Sequence, residues 1–144
     1  MAGFHAIILA AGAGSRLRAA SAVKPLACVQ GQSLLLRALG SMAEAGAVSA
    51  TVVVGYRGEE VAQEARKAPV PVTIRKNPDW ETAPNGVSLL VAAPDIVPGT
   101  MLAMCDHLIS PLLLTRLRTG TTGETALGVD RRLGDPWVDE ADVT

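Results

Sequence analysis

Between Ala11 and Leu26 the chain sets small residues, a hydroxyl and two cations at a spacing suited to holding an anion: Ala11-Gly12-Ala13-Gly14-Ser15-Arg16, then Lys24-Pro25-Leu26. Glycine and alanine let the backbone turn sharply and let its N–H groups approach a ligand without larger side chains in the way. Arg16 adds a fixed cation and Lys24 a mobile one. Far downstream, Asp106 closes the apolar run Thr100–Cys105. An uncompensated carboxylate there would be costly, and a divalent cation would hold it ionised. A helix cap or a salt bridge at the end of a strand is the plainer account of the same residue.

Spacing excludes two common glycine loops. A dinucleotide fingerprint needs a third small residue where Leu17 stands and an acidic residue near Gly55-Tyr56-Arg57, and both are missing. A Walker loop needs Gly-Lys-Ser/Thr closing the turn, which Ser15-Arg16-Leu17 does not supply. The segments Leu9-Ala10-Ala11-Gly12, Gly14-Ser15-Arg16-Leu17 and Lys24-Pro25-Leu26 instead resemble the L-A-A-G-x-G-S/T-R-L … K-P-L signature of MobA-like and sugar-phosphate nucleotidyltransferases. Within that family, Asn77-Pro78, Asn85-Gly86-x-Ser88-Leu89, Met104-x-Asp106-His107 and Asp139-Glu140-Ala141 resemble the CTP:inositol-1-phosphate cytidylyltransferases.

The resemblance implies a nucleoside triphosphate, CTP first, and a small phosphorylated polyol or sugar such as inositol 1-phosphate as partners, with Mg²⁺ as cofactor. Leu9 to Ser15 would cradle the triphosphate together with Arg16, Lys24 would reach a phosphate near the reacting centre, and Asp106 would hold the metal. Asn85, Gly86 and Ser88 would meet base and ribose, since an amide, a bare backbone and a hydroxyl suit the reading of base edges; a helix N-cap explains Asn85 alone. His107 beside Asp106 either belongs to this chemistry or only orients its loop. Trp80 reads as a loop anchor. Arg116, Arg118, Arg131 and Arg132 are candidates for an acceptor phosphate, although solvated faces account for them. A molybdenum-cofactor guanylyl- or cytidylyltransferase and a non-catalytic nucleotide-binding module are the alternatives. Residues 1–144 are expected to form the N-terminal, nucleotide-binding portion of a domain whose later part supplies another metal-binding aspartate and much of the acceptor pocket.

Positioning these groups requires strands that end at the loops carrying them. The run Ala6–Ala10 reads as a buried strand delivering the glycine turn. A helix from Ser33, its N-cap, to a stop at Gly46 follows; then come a strand Ala50–Gly55, a helix Glu59–Lys67 and an edge strand Val70–Lys76 flanked by prolines. A turn-rich loop from Asn77 leads to a helix capped near Asn85, a strand Thr100–Cys105, a helix begun by Pro111, and a fifth strand Thr125–Val129. The alternation predicts a doubly wound, mostly parallel, Rossmann-like α/β/α sandwich. The family resemblance implies strand order 3-2-1-4, which sets the glycine turn and Asp106 at the point where winding reverses.

Composition agrees with that architecture. In 144 residues, hydrophobic content of 49% with 3% aromatics suits parallel strands covered by helices. A net charge of -1 argues against nucleic acid or an anionic membrane as main partner. Cys28 and Cys105 lack zinc or disulfide spacing, and the Phe4–Ala10 run is too short to cross a bilayer, so a cytoplasmic protein is expected. Apolar helices such as Ser33–Ala45 suit either a core or the interface of a homo-oligomer.

Overall fold

The computed structural model describes residues 2–13, 23–123 and 125–129. Its centre is strand β1 (Phe4–Ala10), whose Ile7 and Ile8 are both fully buried because helices cover the two faces they point to. Strands β4 (Ala47–Val54) and β6 (Met101–Met104) flank it in parallel, and β5 (Val72–Lys76) adds to β4, giving the order β5-β4-β1-β6. This is the anticipated 3-2-1-4 arrangement, with β5 on an edge. It begins at Val72 rather than Val70, since Pro71 offers no N–H and contributes only its carbonyl, which accepts from the Ala50 amide. A small hairpin, β2 (Cys28–Val29) and β3 (Gln32–Ser33), was not foreseen; Gln30 and Gly31 both take the left-handed φ that such a two-residue turn needs.

Helices α1 (Leu34–Glu44), α2 (Gly58–Ala65) and α4 (Pro111–Gly120) pack on one face against Ala6, Ile8, Ala50 and Val52. The Ser33 hydroxyl accepts from the Leu36 amide at the start of α1, and Gly46, at φ 102°, turns the chain out of it. Ser110 caps α4 in the same way, ahead of Pro111. Helix α3 (Asn85–Val91) and the 3₁₀ turn Ala93–Asp95 lie on the other face, where Leu89, Val91 and Ala92 meet Ile7, Leu9 and Val53. The result is a doubly wound α/β sheet.

Two expectations are corrected. Residues 125–129 form no strand: Leu127 and Val129 are 84% and 67% exposed, and the stretch runs past the end of α4 without an adjacent ladder to pair with. Asn85 is the first residue of α3 rather than its cap; Pro84 occupies the cap position and no side chain accepts from the first turn.

Candidate active site

The crevice forms where β1 lies between β4 and β6, all three running the same way, so their carboxyl ends open side by side. From β1 emerge Leu9, Ala10 and Ala11, which are buried, then exposed Gly12 and half-buried Ala13. Among the described residues, none would stand within 4 Å of a Cβ on Gly12, so none of them demands this glycine. Gly14, Ser15 and Arg16 lie outside the described residues, as do Arg131, Arg132 and the Asp139-Glu140-Ala141 segment.

The Ala11 carbonyl accepts from the Tyr56 amide at 2.9 Å, joining the turn to the end of β4. Space there is tight: a Cβ on Gly55 would stand 2.6 Å from the Ala11 carbonyl oxygen and 2.4 Å from Trp80 Cβ. Trp80 packs on this junction beside Leu9 and Ala11, with its ring 5.2 Å from that of Tyr56. It is a loop anchor, as its sequence context suggested.

On the other side, the Cys105 amide donates to the Leu9 carbonyl at 3.1 Å and brings Asp106 next to the start of the glycine turn. Lys24, held in a 3₁₀ turn (Lys24–Leu26) around the buried Pro25, forms an ion pair from its Nζ to Asp106 Oδ2. The salt bridge at a strand end, the plain reading of Asp106, is thus realised, and its partner is a residue of the same signature. Burial pushes the Asp106 carboxyl up, but the Lys24 hydrogen bond and charge, with His107 nearby, outweigh it and hold the group below the usual carboxylate range. Its Oδ1 is buried with no hydrogen-bond partner, and His107 Nε2 stands 3.9 Å away. An ionised carboxylate with one unbonded oxygen beside an anion-binding turn fits a hard cation, which takes oxygen ligands from one or two carboxylates and from substrate phosphates. No group of three or more His, Cys, Asp or Glu side chains gathers among the described residues, so a protein-only metal cage is not what they offer. Burial raises the neighbouring Cys105 thiol to about 12, which removes it as a nucleophile at neutral pH.

Of the third group, Asn85 and Gly86 are exposed, whereas Ser88 is 4% exposed and its hydroxyl accepts from Asn77 Nδ2 at 2.9 Å. Ser88 thus lies inside the fold with its hydroxyl engaged by Asn77, while its two neighbours in the motif face outward. The sequence reading also gave Asn77 no role, although an Asn-Pro pair directly after a strand is a turn signal. Arg118 is taken up elsewhere, donating to the Ala45 and Ala2 carbonyls and lying 4.5 Å over the Phe4 ring. Arg116 lines an open hollow of about 390 Å³ with Leu117, Gly120 and Thr121, with no residue of the glycine turn among its walls. No described helix is long and apolar enough to cross a membrane.

The MobA-like NTP transferase domain family matches residues 6–136 of the chain. The chain is 39% identical over 131 residues to the bifunctional IPC transferase and DIPP synthase of Rubrobacter xylanophilus, covering 90% of this chain and 30% of that protein. Among solved structures it resembles the inositol-1-phosphate CTP transferase from T. maritima, with 27% identity and a TM-score of 0.70 over 79% of this chain and 48% of that one. It also resembles a nucleotidyl transferase from Methanothermobacter, with 25% identity and a TM-score of 0.68 over 81% of this chain and 57% of that one. The chain therefore spans under a third of the curated relative and about half of each structural one. By the glycine turn, the Lys24–Asp106 pair at the reversal point and the extent of the match, the chain belongs to the MobA-like NTP transferase domain family.

Proposed function

We propose that the chain is the nucleotide-binding portion of an enzyme that transfers a nucleoside monophosphate, CMP from CTP, to a phosphorylated polyol such as inositol 1-phosphate with release of pyrophosphate. The observation that carries this reading is the contact between Lys24 and Asp106 across the mouth of β1, beside the Ala11-Gly12-Ala13 start of the glycine motif. Base and acceptor are supported by the names of the 39% identical relative, an IPC transferase, and of the T. maritima structure, an inositol-1-phosphate CTP transferase.

The attacking group is a phosphate oxygen, which with a second pKa near about 6 is ionised at neutral pH, so no general base is needed. What remains is to bring two polyanions together in line and to neutralise charge gathering on the departing pyrophosphate. Backbone N–H groups of the Ala11–Ser15 turn, with Arg16, cradle the triphosphate. Lys24 exchanges its ion pair for a phosphate oxygen, and the Asp106 carboxylate, released from Lys24, is the group that would hold Mg²⁺. When bound, the ion would neutralise phosphate charge as a Lewis acid. Asn85 and Gly86 meet the base and ribose.

The test is pyrophosphate release by the longer protein that carries this portion, measured with CTP, GTP, ATP and UTP against a panel of polyol and sugar phosphates. Turnover with CTP and inositol 1-phosphate above every other pair is the expected result. A preference for GTP would move the chain toward the molybdenum-cofactor class, and silence with every pair would leave a binding module.

A further inference from the structure

We infer that Asn77, through its hydrogen bond to Ser88, is a positioning residue that sets how tightly and how selectively the nucleotide is held. The inference rests on the nucleotide-binding reading of Asn85 and Gly86. Asn77 is fully buried at the end of β5, and its side chain uses both ends: Nδ2 donates to Ser88 Oγ at 2.9 Å, and Oδ1 accepts from the Asp79 amide at 2.9 Å. Its own amide donates to the Val54 carbonyl at 2.8 Å, which fixes it to the end of β4. One carboxamide therefore ties the sheet, the loop after β5 and helix α3 together.

Helix α3 depends on this tie more than a longer helix would. It has seven residues, no side chain caps its start, and Ser88 is its one fully buried residue. A helix this short has little stability of its own and takes its place from tertiary contacts. The loop that Asn77 folds back by its Asp79 bond also carries Trp80, which packs on Gly55 and Ala11 of the glycine-turn junction. The separation between the phosphate turn and Asn85-Gly86 is thus set through Asn77 on one side and Trp80 on the other. Loss of the Asn77–Ser88 bond leaves α3 free to shift relative to the turn, so that the phosphates and the base are no longer met together.

The experiment measures pyrophosphate release by the longer protein that carries this portion, as wild type, Asn77→Ala, Ser88→Ala and the double variant, with each of the four nucleoside triphosphates, beside thermal unfolding of each protein. Each single variant should raise KM for the preferred nucleotide by about tenfold and narrow its preference over the others, with kcat and the acceptor KM within about threefold. The double variant should be no worse than Asn77→Ala, because that change already removes the bond that Ser88→Ala removes. Folded variants that keep wild-type KM and preference, a loss confined to kcat or to thermal stability, or additive effects would each overturn the inference. If Asn77→Ala does not fold, Ser88→Ala decides by the same readout. Turnover by wild type with unaltered selectivity in the variants refutes this inference alone, whereas no turnover by wild type with any nucleotide refutes the transferase reading and the inference with it.

Discussion

At the scale of single residues, the proposed chemistry depends on a lysine and an aspartate that form an ion pair just past the end of β6. Asp106 is only partly exposed, and Lys24 and His107 outweigh the upward push of burial, so its carboxyl is held below the usual range and is ionised throughout the neutral range. Replacing Asp106 by Asn should therefore flatten the Mg²⁺ dependence of turnover, and an unchanged metal titration would remove the metal assignment. Arg16→Ala or Lys24→Ala should each lower kcat by at least about a hundredfold with the fold intact by circular dichroism, since on the proposed reading each deletes a charge that neutralises the phosphates. Residue type and motif context marked Lys24 and Asp106 as candidates in the sequence. The ion pair was not legible there, because 82 positions separate its partners and only strand order brings them together. The burial of Ser88 was not legible for a related reason: a hydroxyl in a sequence shows its chemistry but not whether it is buried.

Among elements, the decisive contact is the crossing of the glycine turn, the end of β4 and the Trp80 loop. Gly55 directly follows β4, and the sequence reads it only as the end of that strand. Its constraint comes from the Ala11 carbonyl and Trp80, both within 3 Å of where a Cβ would stand. Gly55→Ala must push one of them aside, at about 1–3 kcal/mol by the usual cost of overpacking. Because the displaced group is the root of the phosphate turn, nucleotide affinity should fall with stability. Thermal unfolding and nucleotide titration of the variant check this, and tight binding in a destabilised protein would show that the turn is held from elsewhere.

Over the whole molecule, the sheet is joined by a polar network as well as by its core. Arg75 on β5 donates twice to Asp95, Thr51 on β4 donates to the same carboxylate, and His5 on β1 contacts Ser49 and Thr51 at 2.8 and 3.0 Å. Since the Thr51 hydroxyl gives its proton to Asp95, it accepts from His5 Nε2–H. The Arg75 hydrogen bond is the main influence on Asp95; with Thr51 and His5 it outweighs burial and sets the carboxyl below its usual range. A lowered folded value means stability that is complete above the ordinary carboxylate range and is lost as pH falls through it and then through the folded value. Wild type should thus lose more thermal stability than Asp95→Asn between about pH 6 and pH 3. Equal losses would place the acid sensitivity on other groups.

The sequence by itself determined most of the alternation of strands and helices, the cap at Ser33 and the proline start of α4, because each depends on neighbours a few positions away. The edge position of β5 was legible too, through the prolines at 69 and 71. Only the tertiary structure decided that Lys24 meets Asp106, that Asn77 holds Ser88, that Gly55 has no room for a side chain, and that residues 125–129 leave the sheet. Those outcomes depend on packing between segments far apart in the chain, and pattern along a chain carries no measure of that distance.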